Sequence, residues 1–140
     1  MVNSPIQVDV AAAGLRPAPI NPSWIIDGTP TARCASLARS ADGRAWTDLW
    51  DCTAGSFHWQ YDIDETIFVL AGSAVITDGN GLSWPLLPND VMHFKAGMRA
   101  QWQVQDYVRK IAFCSEPKGQ LIGLVWAKNR IRELGHRMRR

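Results

Sequence analysis

The chain has 140 residues, 46% of them hydrophobic and 20% charged, with a formal net charge of +2. That length builds one core and not two, and the balance is ordinary for a globular domain. No apolar run reaches membrane-spanning length, and Cys34, Cys52 and Cys114 lack the paired spacing of a disulfide framework or zinc site.

The start, MVNSPIQVDVAAAGLRPAP, has neither a basic opening nor a sustained apolar core. No signal peptide is predicted, and a cytoplasmic location is the expectation. Pro17, Pro19 and Pro22 deny residues 1–23 a long helix, so this segment is expected to be an extended arm. Short strands follow at Trp24-Ile25-Ile26 and TARCASLARS, broken by turn chemistry at Asp27-Gly28 and Asp42-Gly43. AWTDLWDC continues as a strand, with Trp46 and Trp50 four apart.

Residues 55–72, GSFHWQYDIDETIFVLAG, are the most informative stretch. Phe57, Trp59 and Tyr61 alternate, which puts three rings on one strand face and His58 and Gln60 on the other. Asp62 to Asp64 supplies a turn, and Glu65 opens a second strand closed by Gly72. If those two strands pair as a hairpin, Glu65 stands at the mouth of the aromatic face.

The pattern then repeats. SAVITD and LSWPLL flank Asp78-Gly79-Asn80-Gly81, a strong hairpin signal, and Pro85 marks an edge or a bulge. VMHF, RAQWQVQ and VRKIAFC complete the series, with Ala100, Trp102 and Val104 sharing a face. Regular short strands punctuated by glycine and proline predict an all-β sandwich or barrel. From Lys118 onward seven basic residues meet only Glu133, and the apolar residues Leu121, Leu124, Val125, Ile131, Leu134 and Met138 take helical spacing. A basic amphipathic helix is expected over 117–140.

These residues carry a resemblance. W-x-C-x-x-G-x-F-x-W-x-Y-D-x-D-E-T at 50–66, G-x-R-x-x-W-x-V at 97–104 and V-R-K at 108–110 resemble the cupin superfamily. Within it they resemble the ureidoglycine-aminohydrolase-like subfamily, which includes relatives of an ethanolamine-utilisation protein. The resemblance covers residues 24–116 and implies a small jelly-roll barrel, preceded by the arm and followed by the helix. It also implies where a metal would sit in metal-binding relatives: a His-x-His pair, a glutamate and a later histidine. Trp59 and Tyr61 stand at the paired positions and Ala100 at the last one, leaving Glu65 alone. Asn89 and Lys95 replace the usual glycine and proline.

The expectation is therefore a metal-free and cofactor-free cavity that binds or transforms a small polar metabolite such as a ureide or a sugar. Glu65 is the candidate catalytic residue, a general acid or base among rings. Trp59, Tyr61, Trp102 and Phe57 are candidate walls for the ligand, and Arg99 and Lys110 candidate orienting cations. A bland alternative has Glu65 hydrogen-bonded to the Tyr61 hydroxyl or the Trp102 indole, with the rings filling the core. A second function, from another class, is a non-catalytic interaction module whose solid barrel presents the basic helix to an acidic partner. Surplus tryptophans and sheet edges make a homodimer the expected assembly. The basic helix lacks a nucleic-acid recognition motif, so neither nucleic acid nor a membrane is an expected partner.

Overall fold

A computed structural model describes residues 4–117. The predicted helix over 117–140 lies outside the described residues apart from Pro117. What is described is almost entirely β: β1 (Arg16–Pro17), β2 (Ile25–Gly28), β3 (Ala32–Arg39), β4 (Ala45–Gln60), β5 (Asp64–Gly72), β6 (Ala74–Thr77), β7 (Ser83–Leu86), β8 (Val91–Phe94) and β9 (Arg99–Ser115). No helix among these residues is long and apolar enough to cross a membrane.

Two long strands organise the sheet. β4 runs 16 residues and joins AWTDLWDC to the Phe57, Trp59 alternation in one strand. β9 runs 17 and likewise absorbs the polar Gln105-Asp106. The two are antiparallel neighbours along their whole length, with a register shift where Thr53 opposes Tyr107 but Gly55 opposes Val104. β9 spends one more residue there than β4, which is a bulge. β9 keeps its even positions inward on both sides of it, from Ala100 to Val104 and from Val108 to Cys114, so the change of phase falls on β4, at Ala54. Trp46, Asp48, Trp50 and Cys52 point inward from even positions, whereas Phe57, Trp59 and Tyr61 do so from odd ones. Were β4 to alternate without that irregularity, one of these two sets would face outward.

The expected hairpin between the strands flanking Asp62 is not formed. β4 and β5 have no ladder with each other; β9 lies between them in the order β1-β3-β4-β9-β5-β8. Gln60 opposes Arg99 at one end of β9, and Asp64 opposes Ser115 at the other. A straight strand of that length would run ~56 Å, yet residues 61–63 bridge the gap with a reach of only ~14 Å. β9 must therefore curl, and the connection crosses the barrel instead of turning along a sheet edge.

Other turns follow their residues. Asp78 closes the β6–β7 hairpin by accepting from the amides of Asn80 and Leu82. β7 pairs only with β6, so Pro85 does lie on an edge. Gly72 has φ 73°, and a Cβ there would fall 2.0 Å from the Tyr107 carbonyl oxygen. Asn89, standing where a glycine is usual, adopts φ 73° itself and keeps the turn, as asparagine can. The N-terminal segment is not wholly extended. It makes 3-10 turns at Val10–Ala12 and Pro22–Trp24, capped by Asp9 and Asn21, and between them β1 pairs with β3. Ile20 is buried, and Ala18 and Pro19 reach the interior cavity.

Candidate functional site

The barrel encloses a cavity of about 400 Å³. Its walls come from rows that cross the sheet. Trp46, Cys114, Glu65 and Phe94 are successive neighbours on β4, β9, β5 and β8. Asp48, Ala112 and Ile67 form the next row, and Trp50, Lys110 and Val69 the one after. Phe57 opposes Trp102, and Trp59 opposes the small Ala100. Alanines at 100 and 112 leave room that bulkier side chains would occupy.

The aromatic lining packs edge to face around Trp50. Its ring lies 6.4 Å from Phe57, 6.2 Å from Trp59 and 5.9 Å from Trp102. Tyr61 stacks on Phe94 at 4.3 Å. Phe57, Tyr61 and Trp102 are buried, while Trp59 is half-buried and held edge-on by Trp24. Trp59 is thus the most exposed of the three rings predicted on β4.

The polar centre is an ion pair. Lys110 Nζ donates to Glu65 Oε2 at 3.0 Å, with side-chain exposures of 7% and 11%. The same ammonium lies 4.8 Å from the Trp50 ring centroid and 5.4 Å from that of Trp102, within cation–π range. Cys114 donates a weak 3.6 Å bond to Glu65 Oε1. Glu65 is therefore not at a mouth: it is buried and held from two sides. The partners proposed for it in the bland alternative bond to each other instead, the Trp102 indole donating to the Tyr61 hydroxyl at 3.0 Å.

The titratable neighbours are mostly kept neutral. Burial, reinforced by the Glu65 charge, pushes the Tyr61 hydroxyl well up. The same two causes push the Cys114 thiol up. Burial and the neighbouring Asp48 raise Cys34 to about 11. These thiols act as weak donors, not as thiolate nucleophiles. Asp48 is also pushed up, chiefly by burial, against the opposing influence of Arg39 and its bond with Cys34.

Six of the seven predicted site residues, Glu65, Phe57, Trp59, Tyr61, Trp102 and Lys110, line this one cavity. Arg99 does not: it opposes Gln60 across the ladder, on the face turned away from Trp59 and Ala100. Gln60, expected to face away with His58, stands opposite Arg99 on that face; it is buried and borders the cavity only where β4 ends. Asp48, Trp46, Trp50, Cys34 and Cys114 were not singled out as site residues. The signal for Trp46, Asp48 and Trp50 was the alternation in AWTDLWDC, which sets an acid between two tryptophans on one face. His93 sits on the exposed side of β8, bonded to Thr66 at 2.8 Å.

Relatives that bind a metal need several imidazoles around a carboxylate. Here Trp59, Tyr61 and Ala100 occupy those places, and the carboxylate faces an ammonium. Among the described residues no group of three or more His, Cys, Asp or Glu converges to hold an ion. The donor set does not fit a metal centre.

Comparison with known proteins agrees with this architecture. Residues 39–112, just over half of the chain, match the model of the EutQ-like cupin domain. A solved protein of unknown function from Pseudomonas syringae pv. tomato is 25% identical with a TM-score of 0.68, over 74% of this chain and 45% of its own. The Clostridium difficile EutQ protein is 18% identical with a TM-score of 0.56, over 64% and 66%. A predicted oxalate decarboxylase from Thermotoga maritima is 15% identical with a TM-score of 0.62, over 80% and 100%. The chain therefore spans less than half of the Pseudomonas protein and about two thirds of the Clostridium one. No curated protein matches. By its domain match, this chain belongs to the EutQ-like cupin family.

Proposed function

We propose that the barrel is a receptor for a small polar organic molecule, bound in the cavity without a metal ion. The observation that carries this is the Glu65–Lys110 pair inside an aromatic enclosure with room to spare. Burying two charges costs several kcal/mol that hydrophobic residues of similar size would not. A protein that needed only a filled core gains nothing by that arrangement. A cavity of this size also speaks against a solid barrel acting only as a scaffold for the basic tail. Ureides and sugars enter as ligands through the motif resemblance, since both offer flat or faceted apolar surface edged with hydrogen-bonding groups. Glu65 and Lys110 are the groups that orient such a ligand, and Trp59 is the wall it slides along.

A thermal-shift screen over ureides, sugars and small carboxylates tests this. A ligand present at 100 times its Kd stabilises the fold by about 2.7 kcal/mol. The expected result is a shift with at least one compound, lost in Glu65→Gln and in Trp59→Ala. No shift from any compound, together with capture of an acidic protein that requires the last twenty residues, would replace this proposal with the interaction module.

A further inference from the structure

Within the proposed receptor, and resting on that proposal, the charge of the ligand follows from what lines the cavity. Lys110 is already committed to Glu65. The remaining charged side chains of the lining, Asp48 and Asp62, are both acids. Arg39, whose field acts on Asp48, is exposed and does not line the cavity; its guanidinium lies 5.1 Å over Trp46. Asp48 forms no ion pair of its own among the described residues: Arg39 acts on it from outside the lining, Lys110 is bonded to Glu65, and its bond with Cys34 brings no charge.

The barrel supplies its own precedent. It shelters the Lys110 ammonium with one carboxylate and the faces of two indoles. Asp48 with Trp46 on the same strand, and Trp59 further along it, offer a second carboxylate and further indole surface. Among the described residues the one ammonium lining the cavity beside them is that of Lys110, which is bonded to Glu65 and acts on Asp48 only through its field. An anionic ligand would meet Asp48 and would have to take Lys110 from Glu65. An organic cation meets acceptors and ring faces, and its arrival favours the ionised form of Asp48. We infer that the cavity selects a metabolite bearing an organic cation, a substituted ammonium, received by Asp48 and Trp59.

Three compounds of nearly equal shape and different charge decide it: tetramethylammonium chloride, tert-butanol and sodium pivalate. Each is titrated into the full-length protein at pH 8 with ionic strength matched by NaCl, following tryptophan fluorescence and ligand saturation-transfer NMR. Tetramethylammonium is expected to bind at least ~10-fold more tightly than tert-butanol, and pivalate not at all. Asp48→Asn should weaken the cation ~5-fold or more while leaving tert-butanol unchanged, because it removes a charge and little volume. Trp59→Leu, a second variant should the first fail to fold, should likewise reduce the preference for the cation over tert-butanol. Phe113→Ser, on the outer face, should change neither. Equal or tighter binding of pivalate or tert-butanol overturns the charge inference and leaves the receptor standing. Failure of all three to bind overturns this inference, and the ureide and sugar screen then decides the receptor separately.

Discussion

Among the described residues, the Glu65–Lys110 and Asp51–Arg33 pairs lie on opposite faces of the same sheet, and they are built for different purposes. Inside, Glu65 and Lys110 are both nearly sealed from water. Outside, Asp51 is buried but its partner Arg33 is half exposed, at 48%. Arg33 grips Asp51 with two donors, and the Tyr107 hydroxyl adds a third at 2.8 Å. The outer carboxylate is satisfied in full and keeps a cation that water still solvates, so it fastens β3, β4 and β9 with the desolvation of Asp51 outweighed by its bonds and that of Arg33 largely avoided. The inner pair lacks that relief. It is a poor fastener and a good instrument: a fixed dipole in a dry, ring-lined space.

The comparison can be broken most directly at Lys110. Lys110→Met leaves Glu65 as an uncompensated buried charge and is expected to cost about 3–5 kcal/mol in a urea melt. Combining it with Glu65→Gln should recover ~2 kcal/mol or more, since the double variant buries no charge. If the single and double variants are equally unstable, the inner pair is an ordinary structural bridge.

Asp51→Asn is the next largest, about 1.5–3 kcal/mol, because bonds to a charged acceptor are exchanged for weaker ones. It also predicts a pH signature. Burial alone would raise the Asp51 carboxyl, but the Arg33 and Tyr107 bonds and the Arg33 charge outweigh it and hold it below its ordinary value. A depressed carboxyl stabilises the fold above the unfolded value, ~3.9, and that contribution disappears as pH falls through the folded value. Wild type should therefore lose stability below about pH 4 more steeply than Asp51→Asn. Parallel acid profiles would show that the outer pair contributes nothing. The smallest effect is that of Tyr107→Phe, about 1 kcal/mol by the same melt, with ligand binding untouched.

What the sequence revealed, and what it hid, divides along the same line between local and long-range information. The alternation of Phe57, Trp59 and Tyr61, the Asp78 to Gly81 hairpin and the edge position of Pro85 are local, and each was legible. Which strand lies beside which is not local. Glu65 and Trp59 were read as neighbours across a hairpin, yet both reach the cavity because β9 lies between their strands. Asp48 was hidden by the phase change at Ala54, since a single alternation carried back from Phe57 places it outside. Arg99 was drawn into the site by its motif, although its position one step from Ala100 sets it on the opposite face.

The central place of β9 also dictates an order of assembly. β4 and β5 are made first but have no ladder to form with each other. Until residues 99–115 emerge from the ribosome, Trp50, Phe57 and Trp59 lack the neighbour that encloses them, and the edges of both strands stay open to other chains. The closing strand comes last in the barrel and joins residues separated by fifty or more positions at its far end, as Ala45 and Ser115 are. Such a chain folds slowly for its size and needs protection while nascent.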